Sequence, residues 1–504
     1  MQVVRQHTRV LDIIYIVGTG PHFSPLLLLR HGRLRCYLIL LRRRVAGNTR
    51  DTMEALITFL LLVSTLTAAQ AYSDLKGHGQ VGSHKREVVC YVSSWAAYRR
   101  APGNFSLTDL DPTICTHLVY AFAGLNSTTF EIRSLDPYRD LEENYGLGWY
   151  RKMTVMKKQY PHLKVTIAIG GWNEGSTNYS RMAEDPQKRQ IFIQSVIKFL
   201  DKFDFDGLDL DWEFPANRGG KPEDKENFVT LVKELRTAMP NKLLTAAFGA
   251  GETIIKSAYN IRALSTHLDL MHIMAYDYHG TWEGKTGSNA PLRTVDSHDP
   301  LSISYTIKLL KSLGAPARKI VLGVPMYGRT FLLKKPAVGE DQQVQPFGEA
   351  AQERGFQGPY TGEDGFMGYN EICKEVESPS TTWRLMWDET SKTPYAVSGD
   401  KWISYDNERS VAEKAKFAIE EDLGGVMVWS IDTDDFRGDC RSNGETGGHF
   451  PLVTALNVAM AQVINERSSE VITTSTTEQT SGSSTLVTSI AVCAISFVMM
   501  LRNF

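Results

Sequence analysis

Short, almost continuously apolar segments recur along most of the chain. Eight of them have the length of a strand, and most are separated by segments in which apolar residues follow a helical period. The eight runs are 87–94, 116–124, 164–170, 206–213, 243–250, 268–277, 319–327 and 425–432. Helical period is clearest over 187–203, 225–239 and 302–313. Strands covered on both faces read as continuous apolar runs, so this alternation predicts a closed parallel barrel, the (β/α)8 or TIM architecture.

One interval is too long to be a single crossover. Residues 330–401 are rich in Gly, Tyr and charge, and we predict that they form a small α+β insertion domain after the seventh strand. It should form one wall of the barrel mouth, where enzymes of this fold keep their active sites. With a last helix over 451–464, the barrel domain is expected to span 87–467.

The fourth apolar run carries three acidic residues at alternate positions. Side chains alternate between the faces of a strand, so Asp209, Asp211 and Glu213 should share one face. Neighbouring carboxylates repel one another and are costly to desolvate, and the pKa of a crowded carboxyl is raised. A general acid that works near neutral pH needs such a raised pKa. The alternative, a solvated edge strand, is disfavoured because this run is one of eight.

Composition narrows the class of protein. The chain has 504 residues, of which 42% are hydrophobic and 22% charged, as is usual for globular proteins. A net charge of −2 gives no indication of binding to nucleic acid or to an anionic membrane surface. The six cysteines form no Cys-x-x-Cys pair, which argues against a zinc cluster. Four of them lie in the globular part, which suits two disulfides in an exported chain.

The region before the barrel has the features of an export signal. Residues 53–71 form an apolar stretch that ends in the cleavage pattern Ala69-Gln70-Ala71, whereas Glu54 stands where a basic residue is usual. The alternative is a membrane anchor, for which the run is short. We interpret 1–52, which is Arg-rich and irregular, as a leader or a gene-model extension, and 72–86 as a short N-terminal tail.

The composition changes again after the barrel. Residues 468–485 are rich in Ser and Thr and predict a flexible, O-glycosylated stalk, and 486–504 form a hydrophobic tail. Small residues, a polar spacer and an apolar tail fit a glycolipid (GPI) anchor signal better than the alternative, a transmembrane helix. Asn104, Asn126 and Asn178 begin N-glycosylation triplets. We expect a secreted protein that its C terminus tethers to the outer cell surface.

Residues suited to a sugar site lie at the C-terminal ends of four of the predicted strands. Aromatic rings stack on sugar rings, and Asp and Arg bind hydroxyl and amide groups. Any single aromatic could instead belong to the core. Their common position at strand ends, together with the acidic strand, favours a carbohydrate site. The segments are Gly170-Gly171-Trp172, Met274-Ala275-Tyr276-Asp277, Tyr327-Gly328-Arg329 and Trp429.

The acidic strand also carries a family signature. Asp206-Gly207-Leu208-Asp209-Leu210-Asp211-Trp212-Glu213 matches the pattern D-G-x-D-x-D-W-E of family 18 glycoside hydrolases, the chitinases. Three of the segments at the other strand ends, which begin at Gly170, Met274 and Tyr327, match the family's further motifs, and the resemblance extends from about Val88 to about Asn465. The chain most resembles the secreted animal chitinases. That resemblance implies two disulfides, Cys90–Cys115 and Cys373–Cys440.

The resemblance implies a reaction: hydrolysis of β-1,4 bonds in chitin or chito-oligosaccharides by an endo-acting, retaining enzyme. Glu213 is then the proton donor, and the acetamido carbonyl of the bound sugar is the nucleophile, forming an oxazolinium. Asp211 is expected to turn towards the acetamido nitrogen and to share a proton with Glu213 or Asp209. Tyr276 is expected to bind the acetamido carbonyl. No metal or organic cofactor is implied.

The resemblance also implies the substrate contacts. Asp277 and Arg329 are expected to bind sugar hydroxyls, and Trp429 to form the floor under the −1 sugar. Trp282 is expected on the aglycone side. The remaining residues of the implied cleft are Tyr91, Trp95, Phe122, Gly170, Gly171, Trp172, Asn173, Phe214, Met274, Ala275 and Tyr327, with Pro137 and Tyr138 at the non-reducing end.

Two departures from the family pattern bear on function. Phe214 stands where many members have Tyr, so one hydroxyl contact is lost. No Cys-rich chitin-binding module follows the barrel, which favours accessible or soluble chains over crystalline chitin. The main alternative is a lectin-like protein that binds chitin without cleaving it, although the intact acidic residues argue against it. A tethered scaffold with vestigial activity is a second alternative. We expect a monomer.

Overall fold

The computed structural model describes residues 2–7, 12–17, 26–31, 34–39, 81, 84–337, 347–377, 382–442, 445–446 and 448–479. The chain divides into two compact units, Met1–Ser73 and Asp74–Phe504. The first contains a four-stranded antiparallel sheet whose strands are paired in chain order: Gln2–His7, Asp12–Val17, Leu26–His31 and Leu34–Ile39. The description of 1–52 as irregular was therefore wrong, because short apolar runs there pair as successive antiparallel strands. The predicted signal peptide and most of the N-terminal tail lie outside the described residues.

The second unit is built on a closed barrel of eight parallel strands, as predicted. Each strand pairs with its neighbours in the sequence, and the last pairs with the first. All eight predicted runs coincide with a barrel strand, although β2 extends one residue beyond its run, to Leu125. The strands are β1 (Glu87–Ser93), β2 (His117–Leu125), β3 (Lys164–Gly170), β4 (Gly207–Asp211), β5 (Leu243–Gly249), β6 (Leu270–Met274), β7 (Ile320–Pro325) and β8 (Gly425–Trp429).

Helices surround the barrel. The helix Pro186–Phe203 shows why they form where they do: Asp185 accepts the backbone N–H groups of Gln187 and Lys188, and a proline opens the first turn. Its apolar stripe, including Phe192, is buried in the core. The α-helices of this unit outside the insertion are Pro137–Asp140, Trp149–Gln159, Thr177–Ala183, Pro186–Phe203, Asp224–Ala238, Glu252–Ala258, Ile261–His267, Ile303–Ser312, Glu408–Glu420 and Pro451–Gln479.

Shorter elements complete the unit. A three-residue strand, Ile132–Ser134, pairs with the end of β2, and Arg441–Ser442 pairs with Glu445–Thr446. The 3₁₀ turns are Ser94–Tyr98, Pro112–Ile114, Glu143–Tyr145, Trp172–Glu174, Thr281–Glu283, Ala317–Lys319 and Ile431–Thr433.

The described residues of the insertion after β7 form an antiparallel sheet and the helix Tyr369–Glu377, which confirms its α+β character. Trp402 and Phe331 are fully buried in its own small core. The strand order is Phe366–Gly368, Tyr327–Ala337, Thr393–Ser404 and Arg384–Asp388. The sheet extends beyond the predicted range 330–401 at both ends. Its first strand in the sequence begins at Tyr327, and the strand Thr393–Ser404 ends at Ser404. Tyr327 and Arg329 therefore belong to the insertion and not, as predicted, to the end of the seventh barrel strand.

Both implied disulfides are present. Cys90 in β1 is bonded to Cys115, with the Cα atoms 6.1 Å apart, and Cys373 is bonded to Cys440, with the Cα atoms 5.7 Å apart. The first disulfide fixes the start of β2 against β1. The second joins the helix of the insertion to the segment that follows β8.

The last helix is longer than the predicted 451–464. It runs over Pro451–Gln479, so the predicted stalk is helical as far as Gln479. Ser and Thr are only moderately unfavourable in helices, and neither Gly nor Pro interrupts this sequence after Pro451. The predicted hydrophobic tail lies outside the described residues. Within the described part of the chain, none of the helices combines the length and apolar character needed to cross a bilayer.

Candidate active site

Three carboxyl groups converge at the carboxyl end of β4. Asp209 and Asp211 lie in the strand and Glu213 just beyond it; they are 0%, 3% and 9% exposed. Trp212 points the other way and packs against Phe228. The predicted alternation of faces therefore holds. The predicted strand began one residue too early and ended two residues too late, because the ladder ends at Asp211 and leaves Glu213 at the barrel mouth.

Asp209 is the deepest of the three and is fully hydrogen-bonded. Its Oδ2 accepts the Tyr91 hydroxyl at 2.6 Å, and its Oδ1 accepts the Thr245 hydroxyl at 2.6 Å. The Nδ1 atom of His272 lies 3.0 Å from Oδ1. Burial acts to raise the pKa of Asp209, but His272 and the hydrogen bonds outweigh it and hold that pKa below its usual value. Asp209 is therefore ionised and acts as a fixed negative charge below the other two.

Asp211 and Glu213 behave differently from Asp209. The Oδ1 atom of Asp211 is buried and receives no hydrogen bond from any residue that the structure describes. Burial and the charges of Glu213 and Asp209 raise the pKa of Asp211 well above its usual value. Burial also raises the pKa of Glu213 to about 7, against the opposing charge of Arg218. The two groups titrate together, so the pair holds a proton close to neutral pH.

The backbone after β3 approaches this pair closely. The N–H of Gly171 donates to the carbonyl of Asp211 at 2.8 Å. Gly170 has a φ of +118°, and a Cβ atom there would lie 2.1 Å from the same carbonyl oxygen. Only glycine fits at this position. A Cβ atom at Gly171 would in turn meet the ring of Phe122 at 2.7 Å. The absence of a side chain at both positions therefore allows the end of β3 to pack closely against Asp211 and Phe122.

A second polar cluster lies where the end of β6 meets the insertion. Asp277 Oδ1 accepts the Tyr327 hydroxyl at 2.6 Å and the Arg329 Nε at 2.8 Å. Asp277 has a φ of +57°, and its N–H donates to the side chain of Asn289 at 3.0 Å. The ring of Tyr276 packs edge-on against Tyr327 at 5.9 Å. Three of the residues assigned to sugar binding are therefore locked to one another before any ligand arrives.

Aromatic rings gather around Trp429 at the end of β8. Its centroid lies 5.4 Å from that of Tyr91, 5.9 Å from Phe122 and 6.2 Å from Trp95. Trp95 in turn stacks on Phe122 with an interplanar angle of 18°. Tyr91 links this cluster to Asp209, so the aromatic floor and the acidic strand form one site. Trp95, Trp172 and Trp282 remain 43%, 60% and 58% exposed and offer ring faces to a ligand.

The other residues that were assigned to substrate binding lie around these clusters and differ in their exposure. Ala275 is fully buried, whereas Met274 and Phe214 are half-buried, and Phe214 packs beside Gly249. Asn173 is exposed in the turn after β3. Pro137 and Tyr138, both exposed, open the helix Pro137–Asp140. Three non-proline cis peptides, Ala121–Phe122, Glu213–Phe214 and Trp429–Ser430, involve residues of the site.

Several residues of the site were missed by sequence reasoning. Tyr98 donates to Asp136, which caps the helix that carries Tyr138, at 2.6 Å, and Phe366 of the insertion stacks on Tyr327 at 4.5 Å. Arg218 contacts the acidic strand from the following loop. Of these residues, only Arg218 could have been identified from the sequence, because it is a cation five residues after Glu213. The others come from segments with no motif of their own.

The three predicted glycosylation sites are partly exposed. The side chain of Asn126 accepts the backbone N–H groups of Thr128 and Thr129 at 2.9 and 3.0 Å. Asn178 Oδ1 lies 3.3 Å from a guanidinium nitrogen of Arg181, and the carbonyl of Asn104 accepts from Arg437 at 3.2 Å. Their modification stays a prediction.

Comparison with known proteins agrees with this geometry. The model of the family "Glycosyl hydrolases family 18" matches residues 87–434. A protein named "Probable chitinase 2" from Drosophila melanogaster is 46% identical over 442 residues, which is 84% of this chain and 88% of that protein.

Solved structures agree as well. The Group IV chitinase of Ostrinia furnacalis in complex with allosamidin gives a TM-score of 0.70 at 39% identity and covers 75% of this chain and 99% of its own. A human pseudo-chitinase with retained chitooligosaccharide binding properties gives 0.66 at 31% identity and covers 74% of this chain and 99% of its own. The barrel, its acidic strand and the family match together show that the chain belongs to glycosyl hydrolase family 18.

Proposed function

We propose that this protein is a chitinase that hydrolyses β-1,4 bonds between N-acetylglucosamine units with retention of configuration. The observation that carries the proposal is the buried pair of Asp211 and Glu213, which holds a proton near neutral pH at the barrel mouth. The relatives named chitinase support the substrate class. The raised pKa of Glu213 suits a general acid, which must be protonated at the pH where it works.

In the first step, Glu213 transfers its proton to the glycosidic oxygen as the bond between C1 and that oxygen breaks. The acetamido oxygen of the same sugar attacks C1 and forms an oxazolinium, and the shortened chain leaves as an alcohol. A second carboxylate nucleophile is not required in this scheme. Asp211 presents its unpartnered Oδ1 to the acetamido N–H and so stabilises the positive charge that develops.

In the second step, the Glu213 carboxylate takes a proton from water as that water attacks C1. The bond between C1 and the acetamido oxygen breaks, which opens the oxazolinium ring. C1 has then been inverted twice, so the product keeps the β configuration and Glu213 regains its proton. Tyr276, which lies at the end of β6 beside the acids, is assigned to the acetamido carbonyl. Asp277 and Arg329 are assigned to the sugar hydroxyls, and Trp429 to the floor beneath the reacting sugar.

A binding protein without hydrolysis is the second candidate, because a structural relative is described as a pseudo-chitinase that retains chitooligosaccharide binding. The distinguishing feature is the proton on the Asp211–Glu213 pair. A protein that only binds sugar has no use for two buried carboxyls with raised pKa values, since they oppose folding at neutral pH. We therefore favour the enzyme, with endo-acting cleavage as its expected mode.

Export is also part of the proposal. Two disulfides within one barrel are typical of proteins that fold outside the cytosol. The signal peptide, the C-terminal anchor and the use of the glycosylation triplets remain predictions. So do a monomeric state and the absence of any requirement for metal or cofactor.

The proposal is tested by incubating the full-length protein with a fluorogenic N-acetylglucosamine oligomer across a range of pH. Because Glu213 must be protonated and its pKa is raised to about 7, kcat/KM should fall about tenfold per pH unit well above pH 7. An absence of turnover at every pH, with binding of the oligomer retained, would instead identify a lectin. The product pattern from longer oligomers distinguishes internal from terminal cleavage.

A further inference from the structure

Arg218 makes three contacts with the site from outside the family motifs. Its guanidinium carbon lies 3.4 Å from the ring centroid of Trp172. Its Nη1 donates to the carbonyl of Trp172 at 2.9 Å and to the carbonyl of Glu213 at 3.1 Å. One side chain therefore spans the turn that follows β3 and the residue that follows β4.

The loop that carries Arg218 is tightly wound. Ala216, Arg218 and Gly219 have φ values of +61°, +49° and +94°. The side chain of Asn217 donates to the carbonyl of Pro215 at 2.8 Å and to the hydroxyl of Ser257 at 3.1 Å. A left-handed conformation at a non-glycine residue costs free energy and persists only where its surroundings impose it. The loop thus directs Arg218 back over the site.

The contact with Trp172 combines stacking with hydrogen bonding. An arginine plane over an indole is favourable electrostatically and by dispersion. Trp172 is 60% exposed, so its ring keeps area for a sugar while the guanidinium limits its rotation. A ring held in one orientation loses less entropy when a ligand stacks on it.

The charged groups around Glu213 are Arg218, the acidic residues Asp211 and Asp277, and Arg329, which is paired with Asp277 at 2.7 Å. Asp211 and Asp277 add negative charge, and Tyr259 and Tyr276 are close enough to feel the charge of Glu213. Burial and Asp277 raise the pKa of Glu213, and the charge of Arg218 lowers it. Because Arg218 is exposed, solvent screens this effect.

We propose that Arg218 is a positioning residue that fixes the Trp172 indole as a sugar platform and places a compensating positive charge beside Glu213. The inference rests on the proposed chitinase activity for its catalytic half. Its other half concerns only ligand binding and can be tested without turnover.

Two substitutions distinguish the effect of the positive charge of Arg218 from the effect of its planar guanidinium, which stacks on Trp172. Arg218→Gln removes the charge, so the alkaline limb of kcat/KM should move upward by about half a pH unit, because Glu213 keeps its proton longer. Arg218→Lys keeps the charge and should leave that limb in place. Trp172→Ala is the matched control: it removes the platform but not the charge and should also leave the limb unmoved.

Binding of an N-acetylglucosamine hexamer tests the platform; it is measured in proteins that all carry Glu213→Gln, because the active enzyme would cleave the hexamer, and it is followed by tryptophan fluorescence at a pH where all variants are folded. Arg218→Gln and Arg218→Lys should both bind several-fold more weakly than the parent, and Trp172→Ala more weakly still. Wild-type affinity in both Arg218 variants overturns the positioning role, and a wild-type alkaline limb in Arg218→Gln overturns the electrostatic role. If the parent protein shows no turnover, the proposed function fails, while the binding comparison still decides whether Arg218 positions Trp172.

Discussion

Replacing Glu213 with Gln should lower kcat by about a hundredfold or more while changing the affinity for N-acetylglucosamine oligomers only slightly. The amide has nearly the size of the carboxyl and keeps its place at the barrel mouth. It cannot transfer a proton to the glycosidic oxygen, nor accept one from water in the second step. The loss should therefore appear in kcat at every pH, and not as a shift of the pH profile.

The control is a carboxyl outside the site. Glu252 lies in the helix after β5, where it pairs with Lys256 at 2.6 Å. Glu252→Gln should keep kcat within about twofold, as is usual for exposed ion pairs. Equal rates for the Glu213→Gln variant and the parent enzyme would show that another group donates the proton.

Asp211→Asn should also be severely impaired, with kcat reduced by about a hundredfold. The substitution removes the buried, unpartnered Oδ1 negative charge that is assigned to the acetamido N–H. It also removes the partner with which Glu213 shares a proton. Without that like-charged neighbour, the pKa of Glu213 should fall, so the residual activity should lose its alkaline limb at lower pH than in the parent enzyme.

Thermal unfolding shows whether the loss of kcat in Asp211→Asn comes from the site or from misfolding. The raised pKa of Asp211 means that its ionisation opposes folding. This penalty is absent below the unfolded-state pKa and grows as pH rises above it. The Asp211→Asn variant should therefore be at least as stable as the parent at neutral pH. A variant that melts well below the parent, with an unshifted alkaline limb, would contradict the assigned role.

Much of the fold and of the acidic site could be predicted from the sequence because the informative patterns are local. The alternation of Asp209, Asp211 and Glu213 with apolar residues fixes their common face, since strand side chains have period two. The eight apolar runs, which alternate with segments of helical period, predict the barrel. The two disulfides followed from the family resemblance and are present in the structure.

What the sequence did not predict depends on contacts between distant segments. Phe366 reaches Tyr327 only because the insertion folds back as an antiparallel sheet. Arg218 covers Trp172 because a left-handed loop turns it towards the end of β3. The boundary between β7 and the insertion was misplaced since apolar character continues past Pro325, and hydrophobic pattern alone does not show a change of sheet.

The measurement that tests the central claim most directly is the anomeric configuration of the first product. Proton NMR spectra recorded within minutes of adding the full-length protein to a chito-oligosaccharide resolve the new reducing end before it mutarotates. We expect the β anomer, because the acetamido oxygen and then water invert C1 in turn. An initial α anomer would mean direct attack by water and would contradict the substrate-assisted mechanism. A bound but uncleaved oligosaccharide would contradict the assignment of Glu213 as the acid.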